Sequence, residues 1–421
     1  MKKVFLNKIL LLILLCGLFI GCTEPYALQT NTFEEAIVVE ATITNELKNQ
    51  EIKLSRTYIL EQNGPTFETG ATVLVTDNMG NEYNFNENNG KYISETPFQA
   101  APNVEYQLHI TTRDGKSYVS RNQQLTTVNP MESVTPRVIN KDGVEGVQII
   151  VNSFDPANTS KYYRYEYEET SKVTAPKWSP FKAILLPYPR VCETPEFGGF
   201  DSIGLELKTG DAFNSEVCYT TRNSVDIMLT STNNLTEDRV LDFPIRFISN
   251  KDYTIAERYT IQIKQYIQTL ESYTYYKTLK EITEAGGSLL SHNQPGFLYG
   301  NIKSVTNSNE KVVGFFDVAS VSSKRIFFNF DDIFPGEDLP DFFDPCKDDP
   351  YDSEDFGVRD PRPHAEFPCG NGGRGNTLRY KIKYNLELYH YNVGTAYYMV
   401  RPMCGDCRLL GSNIKPSFWI D

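Results

Sequence analysis

The feature that most constrains this chain is a two-residue rhythm of apolar side chains. Val104, Tyr106, Leu108 and Ile110 alternate with polar neighbours, and Ile52, Leu54, Tyr58 and Leu60, then Ala71, Val73 and Val75, repeat the pattern. Such alternation suits a half-buried strand, whose successive side chains point to opposite faces. Turn residues punctuate the runs: Asp77-Asn78-Met79-Gly80, Asn88-Asn89-Gly90 and Asp114-Gly115. Residues 35–128 thus hold about seven strands at hairpin spacing, which predicts an immunoglobulin-like or transthyretin-like β-sandwich. The Cys…Trp…Cys core of antibody domains is absent from this stretch.

Val128-Asn129-Pro130 marks a hinge. Residues 131–421 are again β-rich. Val147, Ile149 and Val151 alternate, as do Tyr163, Tyr165 and Tyr167, and Tyr259, Ile261 and Ile263. Further strands are expected at Val225–Leu229, Ile245–Phe247, Val312–Asp317, Arg325–Phe330 and Arg379–His390. One helix is expected, over 271–285, where Tyr273, Tyr276, Leu279 and Ile282 fall on one face before Gly286-Gly287. Residues 174–200 are rich in proline and aromatics without a period and read as a long loop closed by Cys192. The expected fold is mainly β: a sandwich, then a larger β-rich domain (a sandwich or open barrel) with one packed helix.

Location is set by the first residues. Lys2, Lys3 and Lys8 precede an apolar run, Ile9–Ile20, of 12 residues. That is the length of a signal-peptide core and is short of the ~20 residues needed to span a bilayer. Gly21-Cys22 then resembles the end of a bacterial lipobox, with residues 1–21 as leader and Cys22 as the acylated terminus. An ordinary cleaved leader or an uncleaved anchor is the competing reading. Acyl chains on Cys22 would hold the protein to a lipid bilayer. Residues 22–34 are the acylated Cys and tether; the 12 residues 23–34, fully extended, reach at most ~40 Å.

Without Lys2, Lys3 and Lys8, 38 basic residues face 54 acidic ones, a net charge of −16. Nucleic acid is therefore excluded as a partner of the body. Beyond Cys22, six cysteines remain: Cys192, Cys218, Cys346, Cys369, Cys404 and Cys407. An even count behind an export signal favours disulfides. Sequence leaves the connectivity open; the simplest arrangement joins neighbours, 192–218, 346–369 and 404–407. Cys404-Gly-Asp-Cys407 has zinc or redox spacing, but the other zinc ligands are not evident and no helical pattern follows.

The acidic stretch 331–360 is the most unusual segment. Asp341, Asp344, Asp348, Asp349 and Asp352 are hard oxygen ligands that could hold calcium, yet the D-x-D-x-D-G loop is missing. A solvated acidic loop, stapled by Cys346, is the plainer reading. His109, His292, His364 and His390 form no recognised motif, and no nucleophile elbow or phosphate-cradling loop is found; Gly370–Gly375 lacks the G-K-[ST] ending. No catalytic residue is assigned, and a hydrolase ranks last among the functions considered.

Several stretches carry a family likeness: Cys22-Thr-Glu-Pro-Tyr26, Ile37–Ile43, Gly70-Ala-Thr-Val73, Gly90-Lys-Tyr92 and Asp114–Tyr118. Gly300-Asn-Ile302, Asn307…Glu310, Val313-Gly-Phe-Phe316, Cys404–Arg408, Gly411 and Lys415–Trp419 continue it. Together they resemble the Bacteroidota lipoprotein family DUF4249, a domain of unknown function. The resemblance implies an outer-membrane lipoprotein encoded beside a TonB-dependent receptor, with no catalytic residues to carry over. Asp201-Ser202-Ile203 also matches a short O-glycosylation sequon of that phylum. The expected function is therefore a non-enzymatic accessory, or substrate-capturing partner, of a TonB-dependent transporter. The alternative is a stand-alone glycan- or protein-binding adhesion lipoprotein. Mass spectrometry of the mature protein should find acyl groups on Cys22, and Cys22→Ser should move the protein from the membrane to the soluble fraction.

Overall fold

Alternation in sequence becomes alternation in burial. Along residues 105–111, Tyr106, Leu108 and Ile110 are buried while Glu105, Gln107 and His109 are not. The computed structural model describes residues 36–58, 64–185, 203–285, 298–352, 378, 381–394 and 396–421. The first strands are β1 (Ile37–Thr44), β2 (Glu51–Arg56), β3 (Thr66–Phe67), β4 (Thr72–Asp77), β5 (Glu82–Asn88), β6 (Lys91–Ser94), β7 (Glu105–Thr111), β8 (Ser117–Ser120) and β9 (Gln123–Gln124). Next come β10 (Met131–Lys141), β11 (Val144–Asp155), β12 (Tyr162–Thr174), β13 (Phe181–Leu185), β14 (Ile203–Leu207), β15 (Val217–Asn223), β16 (Met228–Ser231), β17 (Asp238–Ser249) and β18 (Tyr259–Gln268). Helix α1 (Leu270–Ala285) precedes β19 (Ile302–Ser304), β20 (Val312–Phe328), β21 (Asp349–Asp352), β22 (Leu388–Val393) and β23 (Ala396–Val400). The protein is mainly β, as expected.

The 17 residues of β20 join the two lobes. Its first half lies parallel to β1, from Ile37↔Val312 to Thr44↔Ala319. Its second half lies antiparallel to β18, from Ile267↔Ser320 to Tyr259↔Phe328. One sheet therefore runs through both lobes, in the order β15-β12-β18-β20-β1-β2-β6-β5-β4-β7-β8-β19. Two separate strands, 312–317 and 325–330, were expected here. The alternation lapses between them because Val318, Ala319, Ser320 and Val321 are all buried, so both faces are covered.

The first lobe's core is not built from residues 35–128 alone. Ile302, Val312, Phe316 and Val318 pack into it with Val39, Ile52, Val75, Leu108 and Tyr92. The Gly300-Asn-Ile302 stretch now has a physical reason. The Asn301 side chain stands in for a strand: its Nδ2 donates to the Phe316 carbonyl and its Oδ1 accepts from the Phe316 N–H, both at 2.8 Å. Gly300 lets this happen, since a Cβ there would sit 1.5 Å from the Gly314 carbonyl oxygen. Gly314 in turn has φ +141°, and a Cβ would fall 2.2 Å from the Val39 carbonyl oxygen.

The second lobe is a sandwich. Tyr163, Tyr165, Ile261, Ile263 and Phe328, on the large sheet, share a core with Val147, Ile149, Val151, Val240 and Ile248 from the β10-β11-β17 sheet. Helix α1 covers the other face near the lobe junction. Ser272 donates to Asp317 at 2.6 Å, and Tyr275 lies 5.4 Å from Phe315, ring to ring. The Arg164 guanidinium sits between Tyr266 and Tyr276, at 4.3 and 4.6 Å from the ring centres. Burial opposes that charge, but the Tyr276, Glu166, Tyr266 and Asp317 groups around it more than offset this. Burial raises the Asp317 carboxyl against the pull of Ser272 and Arg164. This cluster fastens the helix to the sheet.

Among the described residues no helix is long and apolar enough to cross a membrane.

Two substitutions should separate these contributions in urea melts. Gly300→Ala should cost more than about 3 kcal/mol, since backbone must move to admit the methyl group. Asn301→Ala should cost about 2 kcal/mol by leaving the buried Phe316 N–H and carbonyl without partners.

Candidate functional site: the disulfide-stapled lobe

The C-terminal residues build a small third unit. Strands β21-β23-β22 form one sheet, and the β13–β14 hairpin packs beside it. Leu378, Tyr389 and Met399 are its buried centre, with Ala183, Ile203, Tyr351, Ile382 and Tyr397 around them. The hairpin corrects the reading of 174–200 as one loop, since β13 occupies Phe181–Leu185. The strand expected over 379–390 is also corrected. Residues 381–383 are helical, Asn385 takes a positive φ of 50°, and β22 starts only at Leu388. Glu387 is buried there and pairs with Lys381, so the alternating apolar pattern never becomes a ladder.

Two disulfides hold this unit. Cys218 is bonded to Cys407 across 189 residues, and Cys346 to Cys404 across 58. The neighbour pairing 404–407 is therefore wrong, as are 192–218 and 346–369. Cys404 is buried with Cys346 and Val400, whereas Cys407 is buried with Cys218 and Ala175, so the two thiols of the turn serve different segments. Backbone bonds reinforce each staple: Lys177 N–H donates to the Cys404 carbonyl and Cys407 N–H to the Ser215 carbonyl, both at 2.9 Å. Cys22, Cys192, Cys369, His292, His364, Gly370–Gly375, Asp201 and Ser202 lie outside the described residues.

Two of the acidic residues, Asp344 and Asp348, have partners of their own. Asp344 accepts from the Cys346 N–H at 2.9 Å and from Arg401 at 2.7 Å. Asp348 accepts from Lys177 at 3.1 Å and from His390 Nδ1 at 2.8 Å. Burial works to raise its carboxyl, but the His390 and Lys177 hydrogen bonds outweigh that and hold it below the usual carboxylate range. Asp341 is exposed, and Asp349 lies on β21. The Asp352 side chain is not among those described. Among the described residues, one group of three potential metal ligands comes together, Asp344, Cys346 and Cys404, with donor atoms within 4.8 Å. Its two sulfurs are bonded to each other and offer no thiolate, so the group does not fit a metal.

Aromatic and polar side chains gather at the β22–β23 hairpin of this unit. In the β22–β23 hairpin, Tyr389 pairs with Met399 and Tyr391 with Tyr398, so His390 is the extra residue of a bulge. Bulges re-aim side chains. Here His390 meets the Tyr391 ring edge-on at 4.8 Å, and Tyr391 stacks on Tyr398 at 4.3 Å and 8°. Lys177, Asp348, His390, Tyr391 and Tyr398 thus gather from three distant stretches of chain. Among the described residues, no Ser, Thr or Cys side chain is bonded to His390. Sequence reasoning missed this group; the Tyr-His-Tyr and Tyr-Tyr steps flanking Gly394 were the available signal, hidden by extending one strand from 379 to 390. His109, by contrast, lies on β7 with its Nε2 3.1 Å from Thr76.

Fold and site together define a two-lobed β-sandwich protein with a disulfide-stapled C-terminal unit. The chain belongs to the family described as a domain of unknown function, DUF4249, whose model matches residues 23–325. No curated protein matches the sequence. A solved chain, the B domain of a biofilm associated protein, is similar at 9% identity and a TM-score of 0.10, with 69% of this chain and 85% of that chain covered. At that TM-score the likeness carries no argument.

Peptide mapping without reductant should recover the 218–407 and 346–404 linkages. Replacing Cys218 and Cys407 together by serine should lower stability by roughly 2–4 kcal/mol, read in denaturant melts.

Proposed function

We propose that this protein is a lipid-anchored lipoprotein of the outer membrane that works as a non-enzymatic, substrate-capturing accessory of a TonB-dependent transporter. The observation that carries the reading is the junction at Cys22. An export leader ends there, the family match begins at the next residue, Thr23, and the first described strand starts at Ile37. Little chain separates the anchor from the body, so the lobes work close to the membrane. The family likeness supplies the transporter as neighbour. The aromatic pair at Tyr391 and Tyr398 supports capture.

A second reading is a stand-alone adhesion lipoprotein for glycan or protein, favoured by the same exposed rings. The two differ in what travels with the protein. Affinity purification of the tagged lipoprotein from solubilised membranes should recover a TonB-dependent receptor; recovery of none would leave the stand-alone reading.

A further inference from the structure

We infer that Tyr391 and Tyr398, with Lys177, Asp348 and His390 beside them, form a binding platform for a neutral saccharide. The inference rests on reading the protein as one that captures material at the envelope, and it names the ligand class and the residues. The Tyr391 ring stacks on Tyr398 and meets His390 edge-on, and the residue remains 38% exposed. Such a ring presents a π-face to the electropositive C–H groups of a pyranose. Hydroxyl groups need donors and acceptors close by, and the polar trio has capacity to spare. Among the described residues, Lys177 uses one N–H on Asp348, the Asp348 carboxylate accepts one bond on each oxygen, and His390 bonds through Nδ1. That leaves ammonium hydrogens, carboxylate lone pairs and the imidazole Nε2 for a vicinal diol.

The trio is also held in place before any ligand arrives. Asp348 follows two residues after the Cys346–Cys404 staple, and the Lys177 backbone is bonded to Cys404 itself. Fixing such groups in advance lowers the ordering cost of binding. Charge selects among sugars. The ammonium is already balanced by Asp348, and the body carries −16, so uronates and sulfated glycans are disfavoured. Two rings and three polar groups match one or two sugar rings.

The test is affinity gel electrophoresis of the full mature lipoprotein in detergent, with laminarin, mannan, galactomannan or dextran in the gel and alginate as the anionic comparison. Retardation by at least one neutral polymer and none by alginate is the expected result. Tyr391→Ala should weaken it about tenfold or more, as for an aromatic anchor. Tyr391→Phe should retain it, and Asp348→Asn should weaken it with an unchanged melting temperature. These last two keep the ring and the carboxylate shape respectively, so they decide the matter even if Tyr391→Ala fails to fold. No retardation by any neutral polymer, retardation by alginate alone, or full retardation of the folded Tyr391→Ala or Asp348→Asn protein would overturn the inference. Receptor recovery by each variant is read in parallel. Its loss with Tyr391→Phe or Asp348→Asn would mark the patch as a protein contact and overturn the saccharide reading. Its absence from the unmodified protein, with saccharide binding intact, would count against the transporter partnership alone.

Discussion

The hydrogen-bond ladder along β20 is the interaction on which the rest of the structure depends. This strand is parallel to β1 in its first half and antiparallel to β18 in its second, so the two lobes share backbone. Most two-lobed chains meet through side chains at an interface. Here the lobes cannot part without breaking a ladder. The demand on local sequence is correspondingly strict. Gly314 clears the Val39 carbonyl, Gly300 clears Gly314, and Asn301 completes the bonding of Phe316. The buried Arg164 and Asp317 cluster then pins helix α1 at the point where β20 changes partners.

Surface charge follows a different logic. The chain is strongly acidic, yet its most acidic stretch is no bare anionic loop where it is described. Asp344 meets Arg401, and Asp348 meets Lys177 and His390. Partly exposed pairs of this kind add little stability each. Their effect is positional. They bring a lysine from before β13, an aspartate from before β21 and a histidine from β22 to one place, where two disulfides keep the segments in register.

Much of the strand content was legible because period-two patterning reports a single buried face. Tyr106, Leu108 and Ile110 announce β7, and the helix over 271–285 is α1 nearly residue for residue. Partnership was not legible. The pairing Ile37↔Val312 joins residues far apart in sequence, and nothing local to either names the other. Patterning also failed where both faces are buried, as across Val318–Val321, and misled at 380–388, where alternating apolar residues surround a helical turn. The disulfides were misassigned for a related reason: proximity in sequence says nothing about which buried pocket each thiol enters. Of the family motifs, Gly300-Asn301 and Gly314 are explained by close backbone approaches and by the partners of Phe316.

The first described strand, β1, is flanked by β2 on one side and by β20 on the other. Tension transmitted through a lipid anchor would therefore enter at an interior strand, not at a rim. Pulled along its length, that strand is loaded in shear, and the bonds on both flanks must yield together instead of unzipping one by one.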